Sequence, residues 1–275
     1  MGQFNDLVNY DGRRVAVTGC ASGIGAALVN QLSGLGADVV GLDVRPPAVD
    51  LKDFHQVDLS DPVSIDAVVA KLGGPVDALF NVAGVSSGIG DSLLVVKINF
   101  LGTRHLTEAL VPRMPAGSSI VSVSSLAASG YAENMGEVAG LLGTGTFADG
   151  VQWCRDHPDA HADGGYRVAK EAIILYAMAN AVPLGAKGIR INCTGPGVTE
   201  TPILDQLRTK YGQEYLDGIP KPLGRVSNPE EQAAALVFLN SAAAGYVTGQ
   251  VLWVDGGNLA ARVAATMEGS ALWPA

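Results

Sequence analysis

Charged residues and cysteines are scarce in this chain of 275 residues. Asp, Glu, Lys and Arg make up 16% of it, and 27 acidic residues against 18 basic ones give a formal net charge of −9. Such a chain lacks the basic surface that follows a phosphate backbone, so we expect no nucleic-acid partner. Three cysteines are too few for a disulfide framework, which favours a cytoplasmic location. We expect Cys20 and Cys193 to be small packing residues.

Metal-binding motifs and long apolar runs are also missing. The four histidines are scattered, and although His157 and His161 stand at helical spacing, no third ligand accompanies them, so we expect no metal site. No uninterrupted apolar run reaches the length of about 20 residues that a membrane-spanning helix needs. The first residues are polar and lack the apolar core of a secretory signal. We therefore expect no membrane partner.

Apolar, β-branched runs alternate with longer helical patterns along most of the chain, in which 48% of residues are hydrophobic. This alternation predicts an α/β fold: a single Rossmann-type, doubly wound parallel sheet of about seven strands, with helices on both faces. The predicted strands are 14–18, 38–43, 54–59, 76–81, 119–124, 189–193 and 250–254. The predicted helices are 24–35, 63–72, 93–114, 166–182 and 230–240.

Two segments do not fit the alternation, although we expect residues 1–275 to form one domain. Residues 126–164, called the insert below, are too long for an ordinary connection. Phe147, Val151 and Cys154 recur in it at helical spacing, which predicts one short helix. Residues 258–275 form a carboxy-terminal tail that contains Trp273 and that either packs on a neighbour or stays loose.

The first predicted strand runs into the sequence TGCASGIG at residues 18–25, called the glycine turn below. Gly19, Gly23 and Gly25 allow a tight turn and a close backbone approach to a pyrophosphate. The following helix offers unpaired N–H groups and a partial positive charge to the same group. A glycine trio alone is a weak signal, but its place between a strand and a helix predicts a dinucleotide site.

A carboxylate ends the second predicted strand. Asp43 stands 18 residues after Gly25, where it can accept both hydroxyls of the adenosine ribose of NAD. The same charge repels the 2′-phosphate of NADP, at a cost of about 1–4 kcal/mol for two unit charges about 4 Å apart. Arg45 lies two residues on and weakens this argument, since it can pair with a phosphate. We expect NAD as the cofactor.

Tyr166 and Lys170 stand four positions apart at the start of a predicted helix and so share one face. A tyrosine with a reference pKa near 10 is a poor base at neutral pH, and lowering that pKa by about 3 units takes about 4 kcal/mol. Lys170 and a positive nicotinamide ring can share this work. Tyr166 then exchanges a proton with the substrate oxygen, which Ser125 holds by a hydrogen bond. Taken alone, such a pair on a helix is usually a solvated face.

In order and context, these motifs resemble the short-chain dehydrogenase/reductase family from about Arg14 to Gly257. Besides the glycine turn, the matching segments are NVAG at 81–84, SVSS at 122–125, YRVAK at 166–170, PGVTET at 196–201 and DGG at 255–257. The resemblance implies a nicotinamide cofactor and a catalytic set of Ser125, Tyr166, Lys170 and Asn99. It also implies that Asn99 orders a water beside the lysine, in support of a proton relay.

The resemblance also implies further cofactor contacts. Asp58 matches the residue that contacts the adenine, and the Val198 backbone and the Thr201 hydroxyl match the groups that hold the carboxamide. The expected cofactor-binding set is Gly19, Ser22, Gly23, Ile24, Gly25, Asp43, Asp58, Leu59, Asn81, Ala83, Gly84, Tyr166, Lys170, Pro196, Gly197, Val198 and Thr201.

The chain departs from the family pattern in two places. Val82 replaces an asparagine, which Ala83 and Gly84 make tolerable because the backbone can still approach closely. Ser125 and Tyr166 are 41 positions apart, much farther than is usual in the family. The insert must therefore loop out, and it lies where relatives often pack helices between subunits. A homodimer and a homotetramer stay open.

The insert narrows the resemblance to bacterial 3α-hydroxysteroid dehydrogenase/carbonyl reductases, with coniferyl-alcohol dehydrogenases similar in the same place. We therefore expect an NAD-dependent oxidoreductase that interconverts a hydrophobic secondary alcohol and a ketone. The alternative is an aromatic allylic alcohol dehydrogenase, and a more remote one is a non-catalytic dinucleotide sensor. Trp153 and Phe147 either line the substrate pocket or anchor the insert.

Overall fold

Seven parallel strands form one sheet in the computed structural model, which describes residues 4–49 and 51–267. Across the sheet their order is β3-β2-β1-β4-β5-β6-β7, so the winding reverses between β1 and β4, where doubly wound folds bind ligands. The predicted fold class is confirmed. The strands are β1 (Arg14–Thr18), β2 (Asp38–Asp43), β3 (Asp53–Gln56), β4 (Ala78–Asn81), β5 (Ser119–Val123), β6 (Arg190–Pro196) and β7 (Val251–Val254).

Helices cover both faces of this sheet. In chain order they are α1 (Phe4–Leu7), α2 (Gly23–Gly34), α3 (Pro62–Lys71), α4 (Ser92–Val96), α5 (Thr103–Leu110), α6 (Met135–Leu142), α7 (Phe147–Asp156), α8 (Tyr166–Gly185), α9 (Pro202–Tyr211), α10 (Gln213–Asp217), α11 (Pro229–Asn240) and α12 (Asn258–Met267). Their starts follow sequence signals. Asp61 caps α3 ahead of a proline at the first turn, and Asn228 and Glu231 form a capping box on α11.

Alternate strand residues feed two separate cores. Val15 and Val17 of β1 pack with α2 and α11 on one face, while Ala16 between them packs on the other face with α3, α5 and α8. The second core extends into the insert through Val138 and Phe147. The insert is therefore packed onto the α8 face of the sheet.

The long helix predicted over 93–114 is wrong as a single element. The structure has α4, a π-helical segment over Lys97–Gly102, α5 and a 3₁₀ turn over Val111–Arg113. Gly102 ends the π segment, and only glycine allows its close approach to the loop after β3, because a Cβ there would lie 2.0 Å from the carbonyl oxygen of Leu59. Wide π turns are common at functional sites, and this one carries Asn99.

The insert contains two helices where the sequence predicted one. Helix α7 covers the predicted spacing, but α6 was missed. Gly136 and Gly140 weaken its helical signal, and Gly140 is needed because a Cβ there would lie 2.5 Å from the indole nitrogen of Trp153. Trp153 and Phe147 both pack against the core, which favours the anchoring interpretation over a pocket lining.

Other boundaries also differ from the expectation. Helices α9 and α10 were missed, and α8 continues through Pro183 to Gly185 instead of ending at residue 182. The first part of the expected tail is helix α12, whereas residues 268–275, with Trp273, lie outside the described part of the chain.

Arginine side chains bind backbone carbonyls at the amino ends of the strands. Arg190 donates to the carbonyls of Leu239, Val247 and Ser241, and Arg13 donates to those of Asn240 and Asp77. In the same region, the Arg14 guanidinium pairs with Asp53 at 2.7 Å. These contacts join the strand starts to the ends of neighbouring helices, at the edge of the sheet opposite the glycine turn.

By its length and composition alone, helix α8 would be long and apolar enough to cross a membrane. Its most apolar stretch has a mean hydropathy of 1.2, and 56% of that stretch is buried inside the protein. A core helix of this kind meets the same criteria of length and composition. Within residues 4–49 and 51–267, no three His, Cys, Asp or Glu side chains cluster as metal ligands.

Candidate active site

The glycine turn leaves β1 and enters α2 with little room for side chains. Gly19 and Gly23 adopt φ of 72° and 54°, and a Cβ on Gly25 would lie 2.0 Å from the Gly19 carbonyl oxygen. Ser22 precedes α2, but its side chain makes no capping hydrogen bond, so the N–H groups of the first turn stay available. Ile24 packs against the hydrophobic core that α2 and α11 form with the sheet. The turn fits a dinucleotide pyrophosphate.

The segment after β4 meets the glycine turn. A Cβ on Gly19 would lie 2.8 Å from the Cα and the nitrogen of Ala83, so only glycine allows this approach. The Thr18 hydroxyl accepts the N–H groups of Val82, at 2.9 Å, and Ala83, at 3.0 Å. The valine that departs from the family pattern thus keeps its backbone contact. Thr18 holds the two loops together at the point where the winding reverses.

Asp43 lies at the rim of the glycine turn. One carboxylate oxygen accepts the N–H of Ala21 at 3.0 Å, and the other accepts the N–H of Arg45 at 3.1 Å. These bonds fix the carboxylate at the end of β2, and each oxygen keeps a lone pair for a ribose hydroxyl. The Arg45 N–H thereby helps to hold the carboxylate that the sequence associated with NAD.

The two residues expected near the adenine follow β3. Asp58 is exposed, and one of its oxygens accepts the N–H of Ser60 at 2.7 Å. Leu59 is buried, with its carbonyl against Gly102. Only the first of these two side chains is open to a ligand.

The residues expected to hold the carboxamide lie at the end of β6 and just beyond it: Pro196, Gly197, Val198 and Thr201. The Val198 carbonyl accepts the N–H of Ser227 at 2.9 Å, which fixes the loop at this residue. Thr201 packs its methyl group 3.3 Å from the position of a Cβ on Gly23. The loop therefore reaches the glycine turn, as the expected set requires.

Tyr166 begins α8, and Ser125 follows β5. The fold brings these two residues together despite the 41 positions between them, and the Ser125 side chain lowers the pKa of the Tyr166 phenol. Burial acts in the opposite direction and outweighs it, so the pKa of Tyr166 stands above its ordinary value of 10. The expected lowering by Lys170 is therefore not found among the protein groups alone, because desolvation disfavours the phenolate.

Lys170 lies one turn after Tyr166 with its ammonium 5.8 Å from the centre of the phenol ring. The side chain is 3% exposed and donates to the Val123 carbonyl at 2.8 Å. Burial lowers the pKa of Lys170 to about 8, so it remains largely protonated at neutral pH. Ser124 reinforces this contact between β5 and α8, because its hydroxyl donates to the Lys170 carbonyl at 2.7 Å.

Asn99 and Gly84 complete the surroundings of the ammonium. A Cβ on Gly84 would lie 3.0 Å from the Asn99 amide oxygen and 3.4 Å from the Lys170 nitrogen, so the three groups meet. The Asn99 amide makes two hydrogen bonds to the Val85 backbone. Its oxygen accepts from the Val85 N–H, and its nitrogen donates to the Val85 carbonyl. Asn99 therefore fixes the loop beside the lysine. Its amide keeps one N–H and one lone pair for a water.

Asn81 is placed differently from the other cofactor candidates. Its side chain is 3% exposed, and its amide nitrogen donates to the hydroxyls of Thr107 and Ser122. The side chain thus joins β4 to α5 and β5, and only its backbone is placed at the loop that meets the glycine turn. The amide oxygen is buried without a partner.

Helix α9 lies over the loop that follows β4. Ser86 donates to Gln206 at 2.7 Å, and the Ser87 and Tyr211 hydroxyls are 3.2 Å apart. Lys210 donates to the Ser87 carbonyl at 2.9 Å. These polar contacts hold the helix on the loop at Ser86 and Ser87. Sequence reasoning missed α9 because its contacts are polar and give no apolar period.

Sequence reasoning also left Thr18 and Ser124 without a role. Both stand in motifs that the sequence displays, at the ends of β1 and β5, and hydroxyl residues at strand ends were the available signal. Cys20 and Cys193 were predicted to be packing residues, and both are fully buried free thiols. Their place in the core is that of packing residues.

The two histidines of the insert bind protein groups. His157 stacks on Trp153 with ring centres 4.7 Å apart, and one His161 nitrogen lies 2.8 Å from the Ser92 hydroxyl. The other His161 nitrogen lies 2.9 Å from the Cys154 carbonyl. These contacts occupy both ring nitrogens of His161 in packing the insert.

Known proteins resemble the chain over most of its length. Residues 13–136 match the family described as short chain dehydrogenase, and residues 158–258 match the one described as enoyl-(acyl carrier protein) reductase. A coniferyl-alcohol dehydrogenase from Pseudomonas sp. (strain HR199 / DSM 7063) is 34% identical over 89% of this chain and 96% of its own. The 3-alpha-hydroxysteroid dehydrogenase/carbonyl reductase of Comamonas testosteroni is 31% identical over 88% of this chain and 95% of its own.

A solved structure agrees with these relatives. The 3-alpha-hydroxysteroid dehydrogenase from Pseudomonas sp. B-0831, complexed with NADH, is 33% identical and superposes with a TM-score of 0.77 over 92% of this chain and 98% of its own. The identity and the coverage both exceed what a shared fold alone would give. The chain therefore belongs to the short-chain dehydrogenase/reductase family and is an oxidoreductase whose fold binds a nicotinamide dinucleotide.

Proposed function

We propose that the chain transfers hydride reversibly between NAD and a hydrophobic secondary alcohol or ketone. The observation that carries this proposal is the meeting of the Tyr166 phenol, the Ser125 hydroxyl and the Lys170 ammonium at the carboxyl ends of the strands. The glycine turn lies at the same edge of the sheet. A non-catalytic sensor has no need of these three groups together.

The protein groups divide the work of proton transfer. The cofactor supplies or accepts the hydride at its nicotinamide ring. Ser125 donates a hydrogen bond to the substrate oxygen and fixes it beside Tyr166. Because its pKa is raised, Tyr166 is protonated at neutral pH and gives its proton to the ketone oxygen during reduction. In oxidation, the phenolate takes the proton of the alcohol, and the Lys170 ammonium stabilises that phenolate.

Lys170 and the loop around it are placed to bind and to relay. We propose that the ammonium also binds the nicotinamide ribose and that Asn99 supports a proton relay from solvent to Tyr166. The fixed Val85 backbone beside Asn99 supports this role, because it holds the loop next to the lysine. After each reduction, such a relay returns a proton to the phenolate.

The cofactor preference rests on Asp43. Its carboxylate is fixed at the rim of the glycine turn by two backbone N–H groups, and a dinucleotide bound at that turn would extend its adenosine ribose toward the end of β2. The related structure with NADH supports the same preference by analogy. Repulsion between this carboxylate and a 2′-phosphate disfavours NADP.

An Asp43→Asn protein is expected to bind NADP more tightly relative to NAD, by about 10- to 100-fold in the ratio of dissociation constants. The substitution removes the charge but keeps an oxygen for the Ala21 N–H. Fluorescence titration with NADH and NADPH measures both constants. Asp58→Asn is the control, since its carboxylate also lies near the expected adenosine site, and it is expected to leave the ratio unchanged. An unchanged ratio in the Asp43 variant would exclude Asp43 as the discriminating residue.

The relatives support the substrate proposal. One 34%-identical relative is named for coniferyl alcohol and one 31%-identical relative for 3α-hydroxysteroids and carbonyl compounds. Both names describe bulky hydrophobic substrates. We favour the hydroxysteroid and carbonyl type, with the aromatic allylic alcohol as the second candidate, which the coniferyl relative favours.

A turnover screen tests the proposed function. Purified protein is expected to reduce NAD in the presence of 3α-hydroxysteroids, and to oxidise NADH with the corresponding ketones, faster than it turns over coniferyl alcohol at equal concentration. Faster turnover of coniferyl alcohol would select the second candidate. No turnover of any alcohol or ketone, with NADH binding intact, would favour the non-catalytic sensor.

The partner expectations stay predictions. We propose a homodimer or a homotetramer without nucleic-acid or membrane partners. Light scattering measures the number of copies. The position of the insert on the outer side of α8 makes that surface the first to examine, because α6 packs there.

A further inference from the structure

The first turns of helix α8 carry two pairs of polar residues. The members of each pair stand four positions apart, and the second pair is shifted from the first by one residue. Tyr166 and Lys170 form the first pair, and Arg167 and Glu171 form the second, with a nitrogen to oxygen distance of 2.8 Å. Successive helical residues point about 100° apart around the axis. The second pair therefore lies on the side next to the first. The proton transfer proposed above makes no use of this second pair.

The second pair joins α8 to both ends of the insert. The Arg167 guanidinium donates to Glu137 of α6 at 2.9 Å and to Asp163, at the end of the insert, at 2.9 Å. Asn134, just before α6, donates to the free oxygen of Glu171 at 2.6 Å. One arginine thus holds three carboxylates from three parts of the chain.

Glu171 is fully buried, which is unusual for a carboxylate. Its side chain has 0% exposure, and both of its oxygens are occupied, one by Arg167 and one by Asn134. Buried ion pairs are often no more stabilising than apolar residues of the same size. What they add is a fixed direction, because a charge-assisted bond to a planar guanidinium allows little rotation.

The start of α8 needs such fixing. The residue before Tyr166 is Gly165, at φ of 74°, and no side chain caps the helix there. First turns without a cap fray readily, because their N–H groups lack partners. Tyr166 is the first residue of the helix, so its phenol stands on a turn that no side chain caps.

We propose that Arg167 and Glu171 are positioning residues, which clamp the insert onto the first turn of α8 and so hold the Tyr166 phenol against Ser125. This inference rests on the proposed function, in which that contact is used in proton transfer. The insert then acts as a brace for the catalytic helix, besides filling space beside it. Neither Arg167 nor Glu171 touches the substrate.

Glu171→Gln is the main test, because it is nearly isosteric and keeps an oxygen for Asn134. It replaces an acceptor by an N–H facing the Arg167 guanidinium, so the clamp should open. We expect kcat to fall by about 10- to 100-fold, as for misplaced reacting groups. The dissociation constant for NADH should stay within about twofold, since the glycine turn is untouched.

A second readout does not depend on turnover. The titration of Tyr166 can be followed by tyrosinate absorbance in protein without cofactor, as the difference between each protein and its Tyr166→Phe counterpart. A displaced phenol loses burial, which raises the pKa of Tyr166, or the Ser125 contact, which lowers it, and either loss shifts the pKa in the same direction whichever residue of the clamp is replaced. Removal of a charge alone acts differently, because loss of the Glu171 carboxylate lowers the pKa of Tyr166 and loss of the Arg167 guanidinium raises it. Shifts of the same sign in Glu171→Gln and Arg167→Gln support positioning, and shifts of opposite sign or no shift overturn it.

Three further variants separate positioning from stability. Glu137→Gln acts on an exposed partner in α6 and should fold normally, with a smaller fall in kcat and a smaller shift in the pKa of Tyr166, of the same sign as in Glu171→Gln. Arg167→Lys keeps one charge and should recover part of the kcat that Arg167→Gln loses. Arg14→Gln, the matched control, breaks an ion pair at the opposite edge of the sheet and should keep the kcat of the parent even where it lowers the unfolding midpoint.

The outcomes distinguish this inference from the proposed function. If the parent protein turns over alcohols while Glu171→Gln and Glu137→Gln match its kcat, the clamp is wrong and the function stands. If the parent turns over no alcohol, the proposed function fails, and the tyrosinate titration still decides whether the clamp positions Tyr166. A fall in kcat in Arg14→Gln equal to that in Glu171→Gln would assign the effect to stability and overturn the proposal.

Discussion

A Tyr166→Phe protein is expected to lose about 10³-fold in kcat, within the range that general acid–base groups contribute. The substitution deletes the only atom of this side chain that exchanges a proton and leaves the ring in place. In the direction of ketone reduction, the raised pKa of the phenol makes it a proton donor at neutral pH, so its loss leaves the developing alkoxide without an acid. The measurement is kcat with NADH and the best ketone of the screen.

The Tyr166→Phe protein should bind NADH as the parent does, because the glycine turn and the Asp43 carboxylate are unchanged. Fluorescence titration provides this control. Turnover at the parent rate in a protein that binds NADH normally would exclude Tyr166 as the acid and would require another proton donor beside Ser125. Tyr176→Phe, with its hydroxyl directed to Glu108 on the outer side of α8, is the matched variant and should keep the parent kcat.

A Lys170→Met protein is expected to lose about 10²-fold in kcat and, near neutral pH, to unfold less readily than the parent. The loss of activity is expected because, in the proposed function, this ammonium stabilises the phenolate. The gain in stability follows from the lowered pKa of Lys170, about 8 against 10.5, which corresponds to about 3 kcal/mol for keeping a buried side chain charged. The bond to Val123 offsets part of this gain, since its carbonyl loses a donor.

The pH dependence of stability gives the sign of this effect. The folded protein releases the Lys170 proton near pH 8, while the unfolded chain keeps it to about 10.5. Between these values the unfolded state binds more protons, so the parent gains stability as pH rises. The advantage of Lys170→Met should therefore be largest below about pH 8 and shrink toward about pH 10, as urea unfolding at both values would measure. A constant difference would contradict a buried ammonium.

The sequence predicted the strands around the site more accurately than the segments between them. The predicted bounds of β1 and β2 agree with the structure residue for residue, because short β-branched runs between turn residues are local signals. The glycine turn was predictable for the same reason. Its glycines, its strand and its helix are consecutive in the chain, and the Thr18 and Ala83 contacts follow from the parallel pairing of β1 with β4.

Features that depend on distant partners were not predictable. The π segment around Asn99 ends where Gly102 approaches Leu59, a contact between distant residues that no local pattern encodes. The raised pKa of Tyr166 follows from burial, which the sequence does not display, whereas the Tyr–Lys spacing suggested a lowering. The pairing of Asn134 with Glu171 joins residues 37 positions apart, and it became visible only when α6 was seen packed against α8.

The arginines at the amino ends of the strands separate the contacts that stabilise the fold from the residues of the candidate active site. Arg13, Arg14 and Arg190 hold carbonyls and carboxylates at the edge opposite the chemistry, and they lie outside the catalytic cleft. Substitutions of these arginines are expected to change the rate of thermal inactivation and to leave the kcat of the folded protein unchanged. An engineer can therefore seek thermal resistance at that edge and altered selectivity at the other, and can combine the gains with little interference.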